Sequence, residues 1–183
     1  MREITASQIK DTIKTLFINI NYEIGDNVLS SLKCALDREV SPVGKAILSQ
    51  IIENDIIAKN ERVAMCQDTG MAVVFAEVGQ DVHITGGNFV DAINQGVREA
   101  YSEGCLRKSI VADPLFDRKN TGDNTPAVIY TDIVPGDKIK LTVTCKGFGS
   151  ENMSRIKMMT PADGVDGVLD FIVNTVVEAG PNP

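Results

Sequence analysis

Tryptophan is absent from this chain, histidine occurs once, and aromatic residues make up only 5% of it. The core must therefore be filled by aliphatic side chains. Positive charge is also scarce: the net charge is −7 and the sequence pI about 4.7. Phosphate backbones are held by clustered Lys and Arg, so this balance argues against a nucleic-acid partner. It leaves room for a small anionic substrate, which a few local cations can hold inside an acidic protein. The four cysteines, Cys34, Cys66, Cys105 and Cys145, are widely spaced and form no C-x-x-C pair. Zinc-ribbon and thioredoxin-like readings are thereby unsupported, and reduced thiols are expected. No apolar run approaches a membrane span, and Met1 to Lys10 lacks the apolar stretch of a signal peptide. A cytoplasmic protein without membrane attachment is the expectation. Internal repeats and low-complexity tracts are missing too.

What is present is ordinary for a globular protein: 183 residues, 43% hydrophobic and 23% charged. Thr5 is placed to cap a first helix with Ile9, Ile13, Leu16, Phe17 and Ile20 on one face. Asp26 caps a second, carrying Val28, Leu32, Ala35 and Leu36. Ser41-Pro42 opens a third, whose stripe of Val43, Ile47, Gln50, Ile51, Ile56 and Ile57 runs to about Asn60. These three helices predict a packed helical layer that supports a site. Met71 to Val78 reads as a strand, with a short second one around Val82 to Ile84. His83 reads as a surface or satisfied-core residue. Asn88 caps a helix with Phe89, Ala92, Ile93, Val97 and Ala100 inward, closed by Gly104.

Asp113 to Thr125 is a polar loop, long enough for a lid or binding loop and equally compatible with a surface excursion. Ala127 to Val134 and Lys138 to Thr144 read as strands joined by Pro135-Gly136-Asp137. In the latter, Ile139, Leu141 and Val143 alternate with polar residues, so one face is expected to be buried. Ser154 to Met159 fits a further strand. A last helix follows Thr160-Pro161, with Val165, Leu169, Ile172, Val173 and Val176 inward and Gly180-Pro181 as its stop. Helices followed by strands with interspersed helices imply an α+β fold: an N-terminal helical layer, then a mixed or antiparallel sheet with packed helices. Residues 1–183 are taken as one domain.

The densest group of chemistry-bearing residues is Cys66-Gln67-Asp68-Thr69-Gly70, between a helical and an extended pattern. Cys66 offers a soft ligand or nucleophile and Asp68 a proton carrier, although a lone cysteine also fits a small buried hydrophobe. Arg107-Lys108, just past a helix end, can neutralise that helix terminus or bind an anion. The glycines of Lys146-Gly147-Phe148-Gly149 allow backbone N–H groups to approach an anion, and a plain turn explains them equally well.

Taken together these motifs resemble the class I, iron-sulfur-dependent fumarate hydratases and their tartrate dehydratase relatives. Cys66 to Gly70 is similar to the family's first cluster motif. Leu106-Arg107-Lys108-Ser109 resembles its arginine segment. Asn120-Thr121-Gly122-Asp123-Asn124-Thr125 resembles its threonine- and asparagine-rich loop. Lys146 to Met159 resembles its glycine-serine-glutamate-asparagine segment, with Phe148 interrupting the usual run of glycines.

The resemblance implies a [4Fe–4S] cluster on three cysteines, its open iron acting as a Lewis acid on a dicarboxylate, fumarate or malate. It implies Cys66 as a metal ligand, Asp68 as the catalytic proton-handling or hydroxyl-orienting group, and Gln67, Asp68, Arg107 and Gly149 against the substrate. Cys34, Cys105 and Cys145 match no ligand position. The family's second cysteine follows an Asn-Pro pair, and this sequence stops at Asn182-Pro183. A fragment that is folded but inactive and cluster-free alone is thus expected, completed by a β subunit or C-terminal domain in an oligomer. Apolar surface exposed near the site would favour self-association. The segments around Ser150 and Arg107 look closer to fumarase than to tartrate dehydratase. The remaining alternatives are a tartrate dehydratase subunit and a non-catalytic binding or assembly module.

Overall fold

The computed structural model describes residues 1–180, and for Ser150 and Glu151 the backbone only. Pro181 of the expected helix stop and the Asn182-Pro183 pair lie outside the described residues. The fold is α+β and divides into two units, residues 1–146 and the residues from Gly147 onward. The first unit runs β1 (Arg2–Thr5), α1 (Ala6–Tyr22), α2 (Asp26–Arg38), α3 (Pro42–Glu61), β2 (Met71–Gly79), β3 (Val82–Thr85), α4 (Phe89–Glu103), β4 (Val128–Val134) and β5 (Ile139–Lys146). Its sheet is mixed. β2 is central, parallel to β4 and antiparallel to β5, while β1 and β3 form a separate parallel pair.

Local chemistry sets most helix ends as expected; the exception is α2, where Gly25 occupies the cap position, Asp26 is the first helical residue and no side chain caps the helix. Thr5 and Gln8 form a reciprocal capping box at α1, Ser41 caps α3 ahead of Pro42, and the Asn88 side chain accepts from the amides of Val90 and Asp91. Gly104 ends α4 at φ −80, and the left-handed conformation falls instead to Cys105, at φ 50. Gly104 is still needed there, since a Cβ would lie 2.8 Å from the carbonyl of Ala100.

The core lies where α1 and α4 cover one sheet face. Ile9, Ile13 and Phe17 meet Ile93, Val97 and Tyr101 over Ala72 and Val74, and the alternate residues Ile139, Leu141, Val143 and Cys145 of β5 pack against them. The helices approach closely because Gly96 has no side chain. A Cβ there would sit 2.6 Å from the Lys10 carbonyl and 2.8 Å from Ile13 Cγ2. The far face of the sheet is open, with Phe75 and Tyr130 stacked at 5.1 Å between ring centroids.

β4 and β5 are joined by the short Pro135–Asp137 turn yet do not pair, because β2 inserts between them. The turn wraps the end of β2: Gly79, Gln80 and Asp81 amides donate to Lys138, Val134 and Gly136 carbonyls.

The helical layer departs from expectation. α3 packs beside α2, and its C-terminal end is tied down where Ala58 is buried, Lys59 pairs with Glu23, and Arg62 covers the Tyr22 ring. Its apolar stripe is uncovered: Val43 is 69% exposed, Ile47 52%, and Ile51, Ile56 and Ile57 remain exposed too. α2 buries no residue. Periodicity identified the helices correctly but not what their apolar sides face.

In the second unit, Ser150–Met153 and Pro161–Asp163 are short 3-10 turns and α5 spans Gly164–Ala179. The backbone amide and hydroxyl of Thr160 both donate to Asp163, which fixes the entry to α5. Two expectations fail here. Residues 154–160 form no strand, and Ile156 and Met158 are almost fully exposed. On α5 the half-buried residues include Gly167, Phe171 and Thr175, whereas Val165, Leu169, Ile172, Val173 and Val176 face outward. An extended segment needs a pairing edge and an apolar stripe needs a partner, and neither is found within this unit.

Two outcomes follow from the packing. Gly96→Ala should destabilise the chain by about 1–3 kcal/mol through overpacking, read as a lower urea midpoint; an unchanged midpoint would show that α1 and α4 have slack. The bare α2–α3 stripe should cause concentration-dependent self-association that Ile47→Glu weakens. Light scattering showing a strict monomer over a wide concentration range would refute this.

Candidate functional site

The segment between α3 and β2 is held by polar groups from α3 and α1. Asn54 on α3 donates its amide to the Met65 carbonyl at 2.9 Å, and the Met65 amide donates to the Asn21 carbonyl at 3.0 Å. Cys66 and Gln67 are exposed and Asp68 is half-buried. The turn closes on itself: the Asp68 amide donates to Cys66 Sγ at 3.4 Å, and the Gly70 amide to Asp68 Oδ1 at 3.1 Å. Gly70 adopts φ 61, a conformation that suits a residue without Cβ.

Arg107 lies on the neighbouring strap after α4. Thr69, almost fully buried, donates its hydroxyl to the Arg107 carbonyl at 3.0 Å. The structure thus joins the Cys66–Gly70 segment and the Arg107 segment directly. The Arg107 side chain is exposed and, among the described residues, has no carboxylate partner. Gly149 belongs to the second unit, immediately before the Ser150–Met153 turn. His83 is exposed on β3.

Four supporting residues were not legible as such. Tyr101, fully buried on α4, donates its hydroxyl to the Thr69 carbonyl at 2.7 Å and reaches the Gly70 carbonyl at 3.3 Å. The inward residues expected of this helix stop at Ala100 and do not include it. Burial, with Cys145 beside it, pushes the Tyr101 hydroxyl far above its ordinary pKa, so it remains a donor. Asn124 is fully buried and links Gly70 to Ser109 and Ile110. Asn21 donates to the Phe17 carbonyl and to Cys145 Sγ, and Asn54 is described above. The half-buried Cys145 thiol is held above its usual pKa by desolvation, against its hydrogen bonds with Tyr101 and Asn21.

The polar loop resolves into two parts. Val111 and Asn120 form an antiparallel bridge around an exposed tip at Leu115 and Phe116, while Asn120 to Thr125 turns back under the Arg107 strap. Asp123 anchors this return. It pairs with Arg98 on α4 at 2.7 Å and accepts from the Thr125 amide and hydroxyl. Burial pushes its carboxyl up, but those hydrogen bonds outweigh burial and bring it down to about 2.

No group of three or more His, Cys, Asp and Glu side chains among the described residues is arranged to hold a metal ion. The exposed Cys66 thiol suits one corner of a cluster and no more.

A family profile described as "Fumarate hydratase (Fumerase)" matches residues 10–183. The chain belongs to the fumarate hydratase (Fumerase) family. Among curated relatives it is 34% identical over 181 residues to the "Putative L(+)-tartrate dehydratase subunit alpha" of Methanocaldococcus jannaschii, covering 96% of this chain and 63% of that protein. It is 31% identical over 175 residues to the L(+)-tartrate dehydratase subunit alpha of Escherichia coli strain UTI89, covering 93% of this chain and 56% of that protein. Identity to the K12 protein of the same name is 29% over 174 residues, with the same coverage. The chain therefore spans 56–63% of the length of these relatives. Among the described residues no helix is long and apolar enough to cross a membrane.

The state of Asp123 sets a pH response. Its folded pKa of about 2 lies below the ordinary value of 3.8. The stabilisation is therefore complete above about pH 4 and is lost as pH falls through about 2. Amide exchange of Thr125 should accelerate across that window. In Asp123→Asn the step should vanish; its persistence would assign the transition to another carboxylate.

Proposed function

We propose that this chain contributes part of the active site of an iron-sulfur hydro-lyase that interconverts fumarate and (S)-malate, working with a β subunit or C-terminal domain in an oligomeric assembly. The observation that carries the reading is the hydrogen bond from Thr69 to the Arg107 carbonyl. It ties the segment bearing a thiol, an amide and a carboxylate to one bearing an exposed guanidinium with no carboxylate partner among the described residues, and the family match supplies the reaction class.

Each residue has a chemical task in this reading. Cys66 gives one thiolate to a [4Fe–4S] cluster whose other ligands come from outside the described residues. When bound, the cluster supplies Lewis acidity toward the substrate hydroxyl and carboxylate. Arg107 orients a substrate carboxylate, bidentately where the geometry permits. Gln67 hydrogen-bonds the substrate through its amide. Asp68 moves or orients a proton at the reacting hydroxyl or neighbouring carbon. Gly149, assigned through family resemblance, leaves backbone room for the substrate.

A second reading is L(+)-tartrate dehydration, favoured by the names of the curated relatives. Both substrates are 2-hydroxy dicarboxylates and call on the same cation and carboxylate. A panel of (S)-malate, fumarate and L(+)-tartrate, assayed anaerobically on the reconstituted assembly, separates them.

In that assembly Arg107→Ala should raise KM for the dicarboxylate by about 10- to 100-fold, the loss of a charged hydrogen bond. Asp68→Asn should lower kcat by about 10²- to 10⁴-fold. Turnover unchanged by Asp68→Asn would sink the catalytic reading and leave a binding or assembly module.

A further inference from the structure

We infer that Asn124 is a positioning residue that sets the substrate-facing Gln67–Gly70 segment against the Arg107 strap. This rests on the site proposed above and assigns a role to a residue outside it. Three backbone groups from two segments converge on this one amide. Its Nδ2 donates to the Gly70 carbonyl at 3.1 Å. Its Oδ1 accepts from the Ser109 amide at 2.7 Å and from the Ile110 amide at 3.3 Å. Donor and acceptor ends are both engaged, so the orientation of the amide follows from its partners.

The side chain is fully buried, so an unmade bond would leave a desolvated polar group. The backbone is fitted to the task as well. Asn124 adopts φ 62, which Asn and Asp tolerate better than most residues. Asp123, one residue earlier, is fixed to α4 through Arg98. The amide is thus held from the helix side and reaches both site segments. Thr69 supplies a direct strap between the same segments and Tyr101 holds the Thr69 carbonyl from below. Past Arg107, Asn120 and Thr121 hold the Lys108 and Ile110 carbonyls, and Asn124 takes the Ser109 and Ile110 amides while also reaching Gly70. Together with Thr69, which holds the Arg107 carbonyl, it therefore fixes the successive peptide planes that follow the arginine. Misplacement of either segment by about 1 Å is enough to cost about 100-fold in rate.

Asn124→Asp tests this, since it keeps the shape and the acceptor toward Ser109 while turning a carboxylate toward the Gly70 carbonyl. Gly96→Ala, in the α1–α4 contact, serves as a destabilised control remote from the loops. The first measurement needs no cluster: hydrogen exchange of the Gly70 amide, and maleimide labelling of Cys66 with the exposed Cys34 as internal reference. Positioning by Asn124 requires exchange at Gly70 to accelerate by about tenfold and the Cys66/Cys34 labelling ratio to change, neither occurring in Gly96→Ala. The second is kcat/KM of the reconstituted assembly, expected to fall by about tenfold or more beyond the control. If Asn124→Asp does not fold, Asn124→Gly, which accepts the same φ, takes its place. Unchanged Gly70 exchange and Cys66 labelling overturn the inference. So does a change matched by Gly96→Ala, or a kcat/KM equal to the control's in an active assembly. Absence of turnover in the wild-type assembly would instead count against the proposed function, while the exchange and labelling arm still decides the role of Asn124.

Discussion

Buried polar groups must find partners, and in the first unit three of them find those partners in the loops of the candidate site. The hydroxyls of Tyr101 and Thr69 and the amide of Asn124 are all nearly or wholly removed from water. Left unmade, each bond would cost roughly 1–3 kcal/mol in desolvation. The carbonyls of Thr69, Gly70 and Arg107 and the amides of Ser109 and Ile110 meet this need. The same contacts that stabilise the core therefore dictate where Gln67, Asp68 and Arg107 are presented. Site geometry is in this sense a consequence of core satisfaction.

The sequence was most legible where local chemistry decides. Thr5, Ser41 and Asn88 carry their own capping geometry, and the alternation of Ile139, Leu141 and Val143 identifies a half-buried strand without knowledge of its neighbours. The motif at Cys66 and the cations at Arg107 were found because their residue types are uncommon together. Asn124 and Tyr101 escaped for opposite reasons. Asn124 sits in a run of turn-forming residues where another asparagine is unremarkable, and Tyr101 follows a helical apolar pattern that hides its hydroxyl. Both roles exist only across sequence separations of 32 and 54 residues, to Thr69 and Gly70 respectively.

The failures were failures of context. A short turn after β4 suggests neighbouring strands, but pairing is settled by which strand fits the gap. β2 fits because Gly79 lets the β4–β5 turn close over its end; a Cβ there would lie 2.4 Å from the Gly136 carbonyl. The α2, α3 and α5 stripes show the same limit in another form. Periodicity reports that a face is apolar, and says nothing of whether the covering surface belongs to the same unit.

The exposure of the candidate site has an electrostatic consequence. A carboxylate 4 Å from Arg107 gains only about 1 kcal/mol in bulk water, and about 4 kcal/mol where the effective dielectric constant falls to 20. The acidic balance of the chain, at −7, opposes dianion capture at long range, although salt screens that repulsion over about 10 Å at 0.1 M. An arginine open to solvent is thus a weak dicarboxylate receptor, and it becomes a strong one only when another surface excludes water from it. In the proposed assembly, covering the site serves two ends at once: it supplies the ligands that Cys66 lacks and lowers the dielectric in which Arg107 acts. Affinity for substrate and affinity for the covering subunit are then coupled. Whatever orders the Arg107 strap beforehand, Asn124 and Thr69 above all, reduces the ordering cost that both must meet.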